Sequence, residues 1–195
     1  MRLMNPIDVC VGPDALLEKT LDPRHRAIIK NYRRHVLLEI SGRWQDVINA
    51  EMMVAEPQYR IDFGGQNVAV NGYAEIADMY QAAIASGATT FAPLEERIAV
   101  ADWGMAIESY MGAHQRGRDL QAMGVEVPDP DGFYQLEHWV GAFWPYDENC
   151  RLIGEHVFED VGSRVVHEIS EADFITPSRA AATLAPLIAR IEEEG

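Results

Sequence analysis

The chain is poor in cysteine, poor in positive charge, and without a long apolar run. Cys10 and Cys150 are its two cysteines. They have no framework spacing and form no CxxC motif. That excludes a disulfide-stapled scaffold and leads us to expect a reducing, cytoplasmic setting. Sixteen Lys and Arg face 31 Asp and Glu, for a formal charge of −15. Such a surface repels a polyanion, so no nucleic-acid partner is expected. No apolar stretch approaches the length of a membrane span, so no membrane partner is expected either. The opening MRLMNPIDVCVGPDALLEK is broken by Asn5, Pro6, Asp8, Pro13 and Asp14, which leaves no core for a signal peptide. Phosphate loops, a nucleophile elbow and a flavin signature are missing too; Gly64-Gly65 lacks the third glycine and the β-α context of GxGxxG. HxH and HExxH spacings are also absent. No metal, nucleotide or other cofactor is expected.

What is present reads as a folded domain with a sizeable core: 195 residues, 48% apolar and 24% charged. Residues 1–22 read as an irregular arm with a short helical turn near Ala15–Lys19. Ile28, Tyr32, Val36, Ile40 and Trp44 then recur every fourth residue, the buried stripe of a long helix. Ser41-Gly42 is a weak point after which a second short helix is expected, stopped by Glu56-Pro57. A short strand over Gln58–Phe63 follows, then turns at Gly64-Gly65 and Asn71-Gly72 and a helix over Tyr73–Ala85. From Thr89 the period changes to that of long strands: Phe91–Ala101, Trp103–His114, and two more before Asp160. Thr176-Pro177 opens a final amphipathic helix. Helices followed by an antiparallel meander predict an α+β fold, a curved sheet packed around helices with an internal cavity suited to a small molecule.

Three runs rich in aromatic and β-branched residues lie between Met105 and Asp160, and His114, His138 and His156 fall one on each. Imidazole titrates near neutrality, which makes these rings the first candidates for chemistry. Alternation along the last strand sets Leu152, His156 and Phe158 opposite Glu155 and Glu159. Placing the charges outside turns His156 inward. On the preceding strand Leu136, His138, Val140 and Ala142 share a face, which makes His138 an interior residue. Glu137 and Trp139 take the other face, suited to a rim or a subunit contact. Glu108, Tyr110 and His114 form the polar face of their strand, and parity leaves open whether that face lines the pocket or meets solvent. Of Tyr59 and Arg60, one should point inward. Tyr32 lies on the buried stripe of the long helix, bordered by His35, with Glu39 one turn on.

The order of elements and three local strings resemble the NTF2-like superfamily, in its branch of SnoaL-like cyclases, isomerases and dehydratases. The strings are Asn71-Gly72-Tyr73-Ala74-Glu75-Ile76, Gly112-Ala113-His114 with Gly117 nearby, and Ile153-Gly154-Glu155-His156-Val157-Phe158-Glu159-Asp160. The resemblance covers residues 23–162, leaving 1–22 as an arm and 163–195 as an extension with its terminal helix. It implies an NTF2-like cone. Two departures matter: Glu39 and Ile40 stand where dehydratase members carry a Tyr-Asp pair, and Phe158 stands where the cyclase acid would be. The expected function is therefore a cofactor-independent lyase or dehydratase. It would use His138, His156 and Glu108 for general acid/base catalysis, with Tyr32, His35, Tyr59, Arg60, Tyr110 and His114 around the substrate. That substrate is read as a small apolar, aromatic, hydroxylated molecule losing water or a small carbonyl fragment. A SnoaL-type polyketide cyclase or isomerase, and a non-catalytic binding or assembly module, are the alternatives. A homodimer or homotrimer through the outer sheet face is expected, because large aromatics there would otherwise expose too much apolar area.

Overall fold

Asp22 starts the longest N-terminal helix by accepting the His25 N–H at 3.0 Å, and Pro23 occupies the first turn, where an N–H has no partner to lose. The computed structural model describes residues 1–194. A 3₁₀ turn at Pro6–Cys10 leads into α1 (Val11–Lys19) and then α2 (Pro23–Ile40). The N-terminal arm is thus more regular than its prolines and aspartates indicated. The stripe of α2 is buried as expected, with Ile28, Tyr32, Val36 and Ile40 in the core. The expected second helix is replaced by a 3₁₀ turn at Trp44–Asp46.

Six strands follow: β1 (Met53–Phe63), β2 (Gln66–Asn71), β3 (Phe91–Ala101), β4 (Gly104–Arg116), β5 (Phe133–Pro145) and β6 (Leu152–Glu168). Helix α3 (Gly72–Ala85) lies between β2 and β3, α4 (Gly117–Ala122) between β4 and β5, and α5 (Pro177–Glu194) follows β6. The sheet order is β2-β1-β6-β5-β4-β3, antiparallel throughout except for the parallel pair β1–β6. The sheet is therefore mixed and unclosed.

Two strand boundaries depart from expectation, each for a local reason. Pro57 does not stop a helix but sits inside β1, at the register break between Met53 and Gln58, where the ladder does not need its missing N–H. Gly64 and Gly65, with φ of 64° and 73°, form the expected turn, a two-residue hairpin to β2, a strand between the two turns that the sequence pattern does not predict. Strand β6 also runs past Asp160 to Glu168, because its pairing with β5 resumes after a bulge: Trp139 faces Asp160, whereas Glu137 faces Val165. No described helix is long and apolar enough to cross a membrane.

Candidate functional site

Strand register decides what faces the helices. Phe143 on β5 is directly opposite His156 on β6, and Arg60 on β1 pairs with the same position. Phe143 is 46% exposed, so His156 and Arg60 belong to the outer face. The next pair along β1 and β6, Tyr59 with Glu155, points the other way, and Tyr59 is fully buried. The expected orientation of His156 is thus inverted: glutamate goes in and histidine out. Burial and the Arg60 charge hold the His156 pKa below its ordinary value.

Inside, α2 contributes Tyr32, His35 and Glu39, successive turns of one helical face. Strand β1 adds Tyr59, α3 adds Tyr80, β5 adds Trp144, and β6 adds Glu155. His35 is completely buried, and the Tyr80 hydroxyl meets its Nε2 at 2.8 Å. The Tyr59 hydroxyl continues the chain at 3.3 Å from that of Tyr80. Trp144 sets its ring edge-on between Tyr32 and His35, with centroids 4.9 and 4.7 Å away. Burial drives the His35 pKa down to about 3, so the imidazole is neutral at working pH.

Glu39 lies beside it, with 14% of its side chain exposed. Its Oε2 is 3.7 Å from His35 Nε2, beyond hydrogen-bond reach. One ligand atom each from His35, Glu39 and Glu155 lies within 4.8 Å of the others. Burial pushes the Glu39 carboxyl up to about 7; burial, and then the charge of Glu39, push Glu155 well above the carboxylate range. Among the described residues no Lys or Arg offsets this pair and none donates a hydrogen bond to it.

A third interior carboxyl, Glu96 on β3, receives the Ser109 hydroxyl at 3.4 Å. Burial raises it to about 7 against the opposing pull of Ser109 and the Tyr32 hydroxyl. The groups facing it are the Tyr32 hydroxyl from α2, Ser109 from β4 and the Cys10 thiol, itself raised to about 11 by burial. The sign of the stability effect follows. A raised carboxyl keeps its proton in the folded state where the unfolded chain has released it, so stability falls as pH rises from about 4.5 to about 7 and stays lowered above that window. Glu96→Gln should flatten this slope in denaturant titrations at pH 5 and pH 8. An unchanged difference between the two would show that Glu96 is not its source.

The remaining sequence candidates lie elsewhere. His138 is buried as expected but belongs to a closed ion-pair group: its Nδ1 is 2.5 Å from Glu159, beside the Phe63 ring. Glu108 is 55% exposed and paired with Arg97 at 2.5 Å on the outer face, so the acid expected beside an imidazole is a surface charge. Tyr110 donates to Glu137 at 2.9 Å. His114 is buried among Gln135, the Ile175 N–H and the Phe174 ring, at the foot of the sheet. His114, His138 and His156 do not come together. The interior cluster contains Tyr32, His35 and Tyr59 of the expected set, and adds Glu39, Tyr80, Glu96, Trp144, Tyr146 and Glu155. The His-x-x-x-Glu spacing at 35 and 39, one helical turn on a buried face, was the signal available for Glu39.

No protein-family profile matches the sequence, and no curated protein matches it. Solved structures do. One assigned as a SnoaL-like polyketide cyclase from Jannaschia sp. CCS1 is 17% identical, covering 73% of this chain and 91% of that one, with a TM-score of 0.53. A second assigned as a SnoaL-like polyketide cyclase, from Shewanella putrefaciens CN-32, is 10% identical over 84% and 93% of the two chains, with a TM-score of 0.51. Bal32a, from a soil-derived mobile gene cassette, is 11% identical over 71% and 92%, with a TM-score of 0.50. At such identities the likeness is one of fold. The chain has the NTF2-like cone, and its structural neighbours include SnoaL-like proteins.

Proposed function

We propose that this protein is an enzyme that moves protons on a small, mostly apolar, aromatic hydroxylated molecule, eliminating water or a small carbonyl fragment. The observation that carries the reading is the Glu39–Glu155 pair beside a neutral imidazole. Two carboxyls this close in a dry interior do not both ionise easily, so one serves as base while the other holds its proton as acid. His35, Tyr80 and Tyr59 form a hydrogen-bonded line beside that pair, suited to orienting a substrate hydroxyl or stabilising a developing oxyanion. A module whose interior served only for packing would gain nothing from two uncompensated carboxyls, which cost several kcal/mol to bury. Ring closure or isomerisation next to a carbonyl uses the same groups. The SnoaL-like polyketide cyclases among the structural neighbours favour it as the second reading. Incubation with aromatic alcohols, β-hydroxy carbonyls and linear polyketide-like carbonyls, with products resolved by mass, tests both. Loss of 18 mass units in water-eliminating substrates supports the first, an isomeric product the second, and no turnover of any class counts against both.

The free cysteines Cys10 and Cys150 fit the reducing, cytoplasmic setting proposed for it. The outer sheet face fits self-association. Trp139, Phe143 and Phe158 lie there with Arg97, Glu108 and Asp160 in one open groove, and Phe143 and Phe158 are each 46% exposed. Opposite charges flanking an apolar strip can match a second copy turned about a two-fold axis. Light scattering should give a dimer or trimer; a species of 21.8 kDa at micromolar concentration would refute the association.

A further inference from the structure

Glu39 and Glu155 are buried together with no described Lys or Arg to pair with them. We infer that His35, Glu39 and Glu155 form a binding site for one divalent first-row transition-metal ion of the Zn²⁺ or Mn²⁺ kind. Their ligand atoms lie within 4.8 Å of one another. Donors bound at about 2.1 Å to one tetrahedral ion are about 3.4 Å apart, so side-chain shifts of up to about 1.4 Å close the set. His35 Nε2 and Glu39 Oε2, at 3.7 Å, are already near that spacing. The mixture of one imidazole and two carboxylates suits zinc, manganese or iron rather than calcium, which takes oxygen ligands alone.

A second, independent observation points to the same place. The Tyr146 hydroxyl is 3% exposed and has no hydrogen-bond partner. Glu155 is the first charge acting on it, after burial itself. A buried hydroxyl with no partner, under the influence of Glu155, is a group that a metal-bound water would satisfy. Ligation through His35 Nε2 would displace its hydrogen bond with the Tyr80 hydroxyl, which keeps the Tyr59 hydroxyl 3.3 Å away as an alternative partner, while the buried His35 Nδ1 has no partner of its own. A proton shared between the carboxyls would balance charge but would leave the Tyr146 hydroxyl unsatisfied. The inference deepens the proposed proton-transfer reading, because a metal-bound water ionises near neutrality and could act as the base. It rests on this cluster being the functional site, not on the reaction class.

The test uses full-length protein, stripped with a chelator and dialysed, without substrate. Calorimetric titration with Zn²⁺, and separately with Mn²⁺, should give one ion per chain. Glu155→Gln and His35→Gln should each weaken binding by about tenfold or more. Glu108→Gln, at an exposed carboxyl paired with Arg97, should leave it unchanged and so controls for diffuse attraction to an acidic surface. Because a buried variant can lose its fold, the wild type is also read by NMR. Substoichiometric Mn²⁺ should broaden the ring signals of His35, Tyr80 and Tyr146 before those of His25 and His167. No binding at millimolar ion, or binding that survives both variants with broadening across the surface, overturns the site. If ion binding is absent while Glu155→Gln abolishes turnover, the ion falls and proton transfer stands. Binding together with turnover indifferent to that variant has the reverse meaning.

Discussion

Glu155→Gln should lower turnover by about 10²–10⁴-fold, the usual worth of a positioned proton-transfer group, and leave the protein folded. Glutamine keeps the shape of the neutral carboxyl. Because burial and Glu39 already favour the neutral form at this position, stability near neutrality should hold or rise. A large loss of rate with unchanged or increased stability is the signature of a group kept for chemistry at a cost to the fold. Turnover within threefold of wild type, for a substrate established on the wild-type enzyme, would remove Glu155 from the mechanism. His156→Gln, on the outer face, should leave the rate unchanged and provides the contrast.

Glu159→Gln should produce the largest loss of stability, about 3–5 kcal/mol, as breaking a buried ion pair does. The Glu159 side chain is fully buried. It accepts from His138 Nδ1 at 2.5 Å, from Arg164 Nε and Nη2 at 2.7 Å each, and from the Gly64 N–H at 2.6 Å. Glutamine supplies one acceptor oxygen and turns an NH₂ toward donors, leaving buried positive charge uncompensated. Burial works to raise this carboxyl, but the bonds from His138, Arg164 and Gly64 outweigh it and hold the pKa at about 2. With the folded pKa below the unfolded one, the stabilisation is present above about pH 4.5 and is lost as pH falls toward 2. Denaturant melts of both proteins should therefore show a smaller difference at pH 3 than at pH 7. A difference below about 1 kcal/mol at pH 7 would show the group to be dispensable.

The periodicity of α2 and the turn residues around the meander made the α+β class readable, because burial on one face imposes a period that composition cannot hide. The polarity of the interior was not readable by the same logic. Assigning charges to the outside placed Glu155 and Glu159 in solvent and His156 within, yet both glutamates are interior and Phe158 is half exposed. The rule that sorts apolar from polar residues fails where the inside must hold chemistry or a closed ion pair. Tyr32 and His35 were legible because one lies on the buried stripe of α2 and the other borders it, and strand alternation required one of Tyr59 and Arg60 to point inward. Tyr80 and Trp144 went unremarked because, from sequence alone, they could not be distinguished from core. The Gly64-Gly65 turn was legible, but β2 was missed because the six residues from Gln66 to Asn71 are mostly exposed and carry no buried alternation.

The parallel pairing of β1 with β6 has a consequence for how the molecule comes into being. Tyr59 and Glu155 meet only after β3, β4 and β5 have been made, so the contact is among the most non-local in the chain. Closing so long a loop before any contact rewards it slows folding. During synthesis, β1 waits with one edge unpaired and its hairpin partner β2 on the other, a template for mispairing between nascent chains. Glu39, already in place on α2, acquires its companion carboxyl only when the last strand docks. The proposed proton-transfer pair is thus assembled only once β6 has paired with β1.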